Sequence, residues 1–308
     1  MWAQTVPSAL TLLLEDTAKK RQQQFVELVQ DKPDLCAALI LADKQLIKTL
    51  VFSDYVADSL LHFPELCAPL MQRGFLSSPL KIAVTLNTLK NTLNSCRDEV
   101  QLYACLRQFR RLQQMRLIWR DVNNLSPLND TLTEITALAD MCVQTTLNWQ
   151  HRRLVKRYGE PVGKKSRDPQ SLVVLAMGKQ GAGELNLSSD IDLIYSYQEA
   201  GQTQISEGSA GTGQKSLSNQ EFFIKLGQAL IQSLDKTTSD GFVYRVDMRL
   251  RPYGQSGPLV MNFSSLENYY HEQGRDWERY AMIKARAVTG SPAHTQQIMD
   301  ILRPFSYR

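Results

Sequence analysis

The sequence predicts an α+β protein, with a large helical region followed by a smaller mixed sheet. From about residue 8 to residue 158, apolar residues recur at three- and four-residue spacing and glycine and proline are few, which is typical of helices. After the polar segment Pro161–Gln170, short continuous apolar runs that end at glycine are typical of buried strands. We therefore expect a helical region over 1–160, a core that contains the sheet over 168–258, and a helical extension over 259–308.

The composition is that of a globular protein and argues against several other classes. The chain has 308 residues, of which 43% are hydrophobic and 21% are charged, and this length suggests about two domains. The longest apolar run, Cys36–Ala42, falls well short of the ~18 residues that cross a membrane. The apolar stretch Ala9–Leu14 lacks the basic residues that precede a secretory signal. A net charge of +4 does not by itself indicate nucleic acid. We expect a cytoplasmic protein that binds neither membrane nor nucleic acid.

The cysteines predict neither a disulfide framework nor a zinc site. Their number is odd, they lie far apart, and no CxxC pair occurs. We expect reduced cysteines in the protein core. The five positions are Cys36, Cys67, Cys96, Cys105 and Cys142.

The clearest helix of the first region is predicted from Asp98 to Val122, where apolar residues form one broad stripe. Four arginines are interleaved with this stripe, namely Arg107, Arg110, Arg111 and Arg120. Two interpretations of them are open. The one that we favour is a solvated face with intrahelical ion pairs. The other is a basic patch that binds a partner.

Three strands are predicted in the second region. Leu172–Met177 is a continuous apolar run, Asp190–Tyr195 follows it, and the glycine-rich turn Gly178–Ser189 between them has room for one small helix. Phe242–Met248 is the third predicted strand. The segment Glu199–Asn219 is rich in Gly, Ser, Gln and Thr, so we expect a mobile loop that is either a lid or a simple insertion.

Two more helices are predicted after that loop. Ser218 and Glu221 have the spacing of a capping box, which marks the start of the first. The second is expected from about Gly274 to Arg286, and we expect its Trp277 to be buried.

Three carboxylates are candidate metal ligands. Asp190 and Asp192 lie on one strand, so both project to the same side, ~6.6 Å apart along the backbone. A lone pair of acids at this spacing is common, but a third acid, Asp247, lies on the third predicted strand. Such oxygen ligands suit Mg²⁺ or Mn²⁺, and two cations held this way can stabilise the entering and leaving oxygens of a displacement at phosphorus. The residues predict phosphoryl or nucleotidyl transfer.

The order of these features resembles the nucleotidyltransferase superfamily of DNA polymerase β, in which a strand and a glycine turn precede two acids and a later third. Lys179 stands where that superfamily usually has serine, so an ammonium group would replace a hydroxyl at the phosphates. Met177–Tyr195, MGKQGAGELNLSSDIDLIY, more specifically resembles the bacterial glutamine synthetase adenylyltransferase and adenylyl-removing enzymes. Gly241–Leu259 and Glu272–Arg286 resemble the AMP-removing domain of that family more than its AMP-adding domain.

The resemblance implies a polymerase β-like core and a phosphorolysis, in which phosphate attacks adenylyl-tyrosine on glutamine synthetase and releases ADP. It implies that the three acids bind Mg²⁺ or Mn²⁺, and that the PII signal protein and glutamine are regulators. For Arg249 and Arg251, ion pairing at the strand end is an equally open interpretation, and Glu184 and Asn186 either face the site or stabilise the turn. The residues expected to bind phosphate or nucleotide are Gly178, Lys179, Ser189, Arg249, Arg251 and Lys284.

Two alternatives to this function remain open. The same acids would serve the transfer of AMP from ATP to glutamine synthetase. A regulatory module that binds nucleotide or a partner without turnover is the other alternative, and the complete set of acids argues against it. Because family members are longer than this chain, we expect a fragment without the AMP-adding domain.

Overall fold

The computed structural model describes residues 8–30, 43–70, 72, 74–205 and 215–307. The apolar run Cys36–Ala42 lies outside the described residues, as do residues 206–214 of the expected loop. The chain divides into two compact units. The first is Met1–Ile82 with Gln108–Ile135, and the second is Ala83–Arg107 with Thr136–Arg308.

The predicted helical region is confirmed over the described residues before position 159. A 3-10 turn, Pro64–Leu66, follows α3. Within the described residues, none of the helices is both long and apolar enough to cross a membrane. The helices are α1 (Ser8–Val29), α2 (Asp43–Phe52), α3 (Asp54–His62), α4 (Cys67–Leu70), α5 (Ile82–Ser95), α6 (Glu99–Val122) and α7 (Leu128–Tyr158).

The structure corrects both interpretations of the arginines of α6. Arg107, Arg111 and Arg120 are 1%, 8% and 2% exposed, so they form neither a solvated face nor an accessible patch. In the first unit, Arg120 donates to the carbonyls of Leu76 at 2.8 Å and Leu125 at 3.1 Å. Buried backbone carbonyls need donors, and a long arginine side chain reaches carbonyls of other segments.

The free thiols among the described residues are Cys96, Cys105 and Cys142, and only Cys142 is fully buried. Cys96 and Cys105 are half-buried, with their sulfur atoms 3.5 Å apart. The expectation of core cysteines is therefore right for Cys142 alone among these three.

The predicted domain boundary at Pro161–Gln170 does not coincide with the division into units. This segment begins with a strand, β1 (Glu160–Gly163), whose Val162 is buried. The division instead falls inside α6 and α7, because the second half of α7 contacts the sheet unit. Thr136 Oγ1, for example, accepts a hydrogen bond from Leu185 N at 3.1 Å.

A mixed sheet forms the core of the second unit. The predicted strands form as β2 (Leu172–Ala176) and β3 (Ile191–Tyr197), which are largely buried and pair antiparallel. β7 (Arg286–Ala287) pairs antiparallel with β2. β5 (Val246–Asp247) and β6 (Val260–Asn262) pair parallel with β3, β5 at its start and β6 at its end.

The third predicted strand, Phe242–Met248, is shorter than expected, since only β5 forms. The N–H groups of Val243 and Tyr244 donate to the carbonyl of Leu234, so these two residues are bonded to a helix end, and among the described residues of the predicted strand before β5 only Arg245 bonds to β3, through its carbonyl. The expected loop Glu199–Asn219 also contains a strand, β4 (Gly201–Gln204), which pairs with β1. Its polar composition is the reason that the sequence predicted a loop here and not a strand.

The remaining helices surround the mixed sheet. The capping box is confirmed, because Ser218 Oγ accepts from Glu221 N at 3.2 Å and Glu221 Oε2 accepts from Ser218 N at 2.9 Å. Trp277 is 49% exposed, and the expectation that it is buried is wrong. Its short helix instead buries Glu278 and Met282. The helices are α8 (Gly178–Gly181), α9 (Asn219–Asp235), α10 (Phe263–Glu272), α11 (Asp276–Ile283) and α12 (Pro292–Ser306).

Candidate active site

The glycine-rich turn after β2 brings the backbone against the side chain of Asp192. Met177 N donates to the Asp192 carbonyl at 2.9 Å, which continues the pairing of β2 with β3. Gly178 follows with a φ of +53°, a conformation that residues with a side chain rarely adopt. A Cβ at this position would lie 2.8 Å from Asp192 Oδ2. Glycine is therefore required here both for its conformation and for its small size.

The three predicted metal ligands lie at one edge of the sheet. Parallel pairing of β3 with β5 sets Asp192 directly beside Asp247. Asp190 lies one residue before β3 and is exposed, while Ile191 and Leu193 are buried as the alternation predicts. Burial raises the pKa of the Asp192 carboxyl, and the negative charges of Asp247 and Asp190 raise it further. The three acids are thus within electrostatic reach of one another.

Asp247 is engaged with Arg249, two residues further along the chain. Arg249 donates from its backbone N to Oδ1 at 2.8 Å and from Nε to Oδ2 at 2.7 Å. These hydrogen bonds lower the pKa of Asp247 and raise that of Arg249. The Arg249 side chain is 71% exposed, so water competes with the contact and it is a weak one.

The acids fit a divalent cation in their chemistry. Within the part of the chain that the structure describes, no three carboxylate, imidazole or thiol groups already surround a common point. Asp190, Asp192 and Asp247 nevertheless offer only oxygen ligands, which hard cations prefer. Burial and, after it, the charges of Asp247 and Asp190 disfavour the charged form of Asp192, and a bound cation would favour that form. Such a cation would compete with Arg249 for Asp247.

Several predicted phosphate-binding residues lie on or beside the turn between β2 and β3. Gly178 and Lys179 begin α8, where Lys179 is exposed, and Ser189 is half-buried near the start of β3. Lys284 reaches the same turn, since its Nζ lies 3.4 Å from Glu184 Oε2. The structure therefore brings these residues to the part of the molecule that contains Asp192. For Glu184, the ion pair favours a role in holding the turn.

Arg249 and Arg251 have different contacts, although only one residue separates them. Arg249 pairs with Asp247, which agrees with the ion-pair interpretation. Arg251 donates to the carbonyls of Met248 at 2.8 Å and Gln255 at 3.1 Å, so it holds the turn after β5. Its hydrogen-bond partners are backbone carbonyls and not a carboxylate, which argues against the ion-pair interpretation, while phosphate binding by Arg251 stays a prediction.

The sequence did not predict a hydrogen-bond network that joins α7 and β7 to the glycine-rich turn after β2. Arg286 donates from Nη1 to Asp140 Oδ2 at 2.8 Å and from Nη2 to the Gln180 carbonyl at 3.0 Å. Gln180 Nε2 donates to Asp140 Oδ1 at 2.9 Å. The only signal in the sequence was that Arg286 ends the segment Glu272–Arg286, which resembles a known family. Nothing marked Asp140, which lies in the middle of a helix.

Comparison with known proteins decides the family. The family model of the glutamate-ammonia ligase adenylyltransferases matches residues 43–301. The chain belongs to this family. Glutamate-ammonia ligase adenylyltransferases are nucleotidyltransferase enzymes, so the family agrees with the chemistry that the acids suggest.

Three curated relatives of this chain have the same name, bifunctional glutamine synthetase adenylyltransferase/adenylyl-removing enzyme. The Pseudomonas aeruginosa relative is 51% identical over 256 residues, which cover 83% of this chain and 25% of the relative. The Shewanella loihica relative is 44% identical over 93% of this chain and 29% of its own length. The Pseudomonas putida relative is 43% identical over 98% of this chain and 30% of its own length. The chain spans less than a third of the length of these relatives.

Proposed function

We propose that this chain carries a nucleotidyltransferase site of the DNA polymerase β type and that it removes AMP from an adenylyl-tyrosine of glutamine synthetase. The observation that carries the proposal is the register that sets Asp192 beside Asp247, with the Gly178 turn against the same carboxylate. The names of the relatives support the protein substrate, since those proteins are glutamine synthetase adenylyltransferase/adenylyl-removing enzymes.

In the proposed reaction, an oxygen of inorganic phosphate attacks the phosphorus of adenylyl-tyrosine. The new P–O bond makes ADP. The bond to the tyrosine oxygen breaks, its electron pair stays on that oxygen, and a proton restores the tyrosine. Mg²⁺ or Mn²⁺ held by Asp190, Asp192 and Asp247 would supply positive charge next to the entering and leaving oxygens. Lys179 and Lys284 would add positive charge from the side of the glycine turn.

The direction of the reaction is inferred from two segments. Gly241–Leu259 and Glu272–Arg286 resemble the AMP-removing domain of the longer enzymes, and both contribute to the site. The first contains β5 with Asp247 and Arg249, and the second ends with Lys284 and Arg286 beside the glycine turn. The same resemblance leads us to propose the PII signal protein and glutamine as regulators.

The test is an assay with the purified 308-residue chain, adenylylated glutamine synthetase and Mg²⁺. We expect ADP to be released only when phosphate is supplied, and Asp192→Asn to lower the rate of release about a hundredfold. A parallel assay supplies radiolabelled ATP and unmodified glutamine synthetase, in which we expect no label on the protein.

Label incorporation would reverse the direction and establish the AMP-adding alternative. If neither reaction occurs, the assay is repeated with a chain extended beyond Arg308 to match the relatives. If the extended chain shows neither reaction at this site, the result would favour a module that binds without turnover.

A further inference from the structure

The turn that approaches Asp192 is too short to hold its own position. α8 has only four residues, and an isolated helix of that length is unstable in water because helix nucleation is unfavourable. Its Gly178 must nevertheless stay within a narrow space, since even one added carbon would contact the Asp192 carboxylate. Groups outside the turn must therefore fix it.

Asp140, on α7, and Arg286, on β7, meet beneath this turn. Arg286 makes two contacts with the Asp140 carboxylate, Nη1 to Oδ2 at 2.8 Å and Nη2 to Oδ1 at 3.2 Å. A two-point contact of this kind fixes the orientation of both groups. The side chains are 39% and 25% exposed, so the pair is only partly screened by water.

The same two residues bind the turn itself. Arg286 donates to the carbonyls of Gln180 at 3.0 Å and Gly181 at 3.3 Å. The Gln180 side chain, 1% exposed, donates to Asp140 at 2.9 Å. α8 is thus tied to a helix and to a strand, in addition to its own chain connections.

Lys284 is placed by the same arrangement. The backbone of Lys284 packs on the turn so closely that a Cβ at Gly181 would lie 1.9 Å from the Lys284 carbonyl oxygen. Lys284 lies two residues before Arg286, and its side chain contacts Glu184 on the far side of the turn. A shift of Arg286 would therefore move both the turn and this lysine.

We propose that Asp140 and Arg286 are positioning residues for the candidate site. They hold the Gly178–Gly181 turn against Asp192. Through the turn they set the affinity for a nucleoside diphosphate and the rate of AMP transfer. The link to ADP and to turnover rests on the proposed function, whereas the effect on the turn follows from the contacts alone.

The experiment compares Arg286→Ala, Asp140→Ala and Arg286→Lys in the full chain with a matched control, Arg153→Ala. Arg153 also pairs with a carboxylate, Glu99, at 3.0 Å, and its side chain is equally exposed at 39%. It lies on α7 about 20 Å from Asp140 along the helix axis. Melting temperature is measured for every variant.

Three readouts are taken. Hydrogen exchange of a peptide that covers residues 178–185 reports on the turn. Calorimetry measures the affinity for Mg²⁺ with ADP, and steady-state kinetics separates kcat from KM for the protein substrate. For Arg286→Ala and Asp140→Ala we expect faster exchange and a loss of about 10- to 100-fold in ADP affinity and in kcat, with KM for the protein unchanged.

Arg286→Lys should recover part of the loss, since an ammonium retains the charge but not the two-point contact. A further variant that combines Asp140→Ala with Arg286→Ala should lose little more than either single variant, because the two residues act as one unit. The control should keep wild-type exchange, ADP affinity and kcat even where its melting temperature falls equally.

Wild-type exchange of the turn in Arg286→Ala would overturn the proposal, and so would equal losses in Arg153→Ala. If neither the 308-residue chain nor the chain extended beyond Arg308 releases ADP from adenylylated glutamine synthetase, the proposed function fails. The exchange measurement then still decides whether Asp140 and Arg286 hold the turn.

Discussion

Two arginines bind β5 or the residues that precede it, and they differ in how exposed they are. Arg107, 1% exposed, donates to the carbonyls of Gly241 at 2.8 Å and Ser233 at 3.3 Å, in the segment that leads to β5. Arg249, whose side chain is 71% exposed, follows β5 and pairs with Asp247, the last residue of that strand. Loss of the buried arginine would remove hydrogen bonds from a place that water cannot readily reach, whereas water or another cation can replace the exposed arginine. Burial therefore separates an arginine of the scaffold from an arginine of the site.

The largest effect is expected for Arg107→Met. The substitution keeps the length of the side chain but removes the guanidinium that bonds the carbonyls of Gly241 and Ser233. We therefore expect a loss of about 3 kcal/mol in the free energy of unfolding. Urea denaturation followed by circular dichroism measures it. Arg97→Met, at an exposed position of the segment before α6, serves as the control and should change stability by less than about 0.5 kcal/mol. Equal losses in both variants would contradict the comparison.

Asp192→Asn tests the acid beside the pair of Asp247 with Arg249. We expect turnover in the adenylyl-removal assay to fall about a hundredfold, because the variant has lost one of the charges that would hold the cation. The fold should be retained, since burial and two neighbouring acids already disfavour the charged form of Asp192. Asp16→Asn, at an exposed position of the first unit, is the control. Near-normal turnover of Asp192→Asn would refute the assignment of the site.

Local features of the fold were predictable from the sequence. Continuous apolar residues predicted β2, and the spacing of Ser218 and Glu221 predicted the start of α9. The alternation around Ile191 predicted that Ile191 and Leu193 are buried and Asp192 is less so, whereas residues 193–197 of β3 are buried without alternation. Each of these signals depends on residues within a few positions of one another, and the physical cause is equally local.

Long-range features were not predictable. Asp140 and Arg286 are 146 positions apart, and no local pattern indicates that they meet. β5 is short because the residues before it bond to the end of α9, which depends on tertiary contacts. The arginines of α6 looked like surface residues for the same reason, since the carbonyls that bury Arg107 come from a distant segment.

Arg249→Gln tests how readily the exposed arginine can be replaced. The phosphate interpretation predicts that KM for phosphate rises about tenfold, the effect of one charge-assisted hydrogen bond, while KM for the protein substrate changes less. The melting temperature should change little, because the arginine side chain is 71% exposed and the backbone N–H of residue 249 keeps its hydrogen bond to Asp247. Arg245→Gln is a matched control, since Arg245 pairs with Asp235 at 3.4 Å and is also exposed. Equal increases in both KM values would point to a structural role for Arg249.

The smallest effect concerns pH and a half-buried ionisable group, His151. Burial lowers the pKa of His151 below its ordinary value of 6.5, so the folded protein holds this ring neutral while the unfolded chain protonates it more readily. The resulting stability is fully present above pH 6.5, and it is lost as the pH falls from there through the lowered pKa. Glu160, 3.9 Å away, offsets part of the loss once the ring is charged, because it is the only acid paired with His151 among the described residues.

Thermal unfolding between pH 7.5 and pH 5 measures this effect in His151→Gln and in the wild-type chain. We expect the variant to lose less stability than wild type below pH 6.5, because glutamine has no proton to gain. His271→Gln, at an exposed position on α10, controls for the loss of a histidine and should follow the wild-type curve. If His151→Gln also follows that curve, burial of His151 contributes nothing to the pH dependence, and the contrast between buried and exposed cations would not extend beyond the arginines.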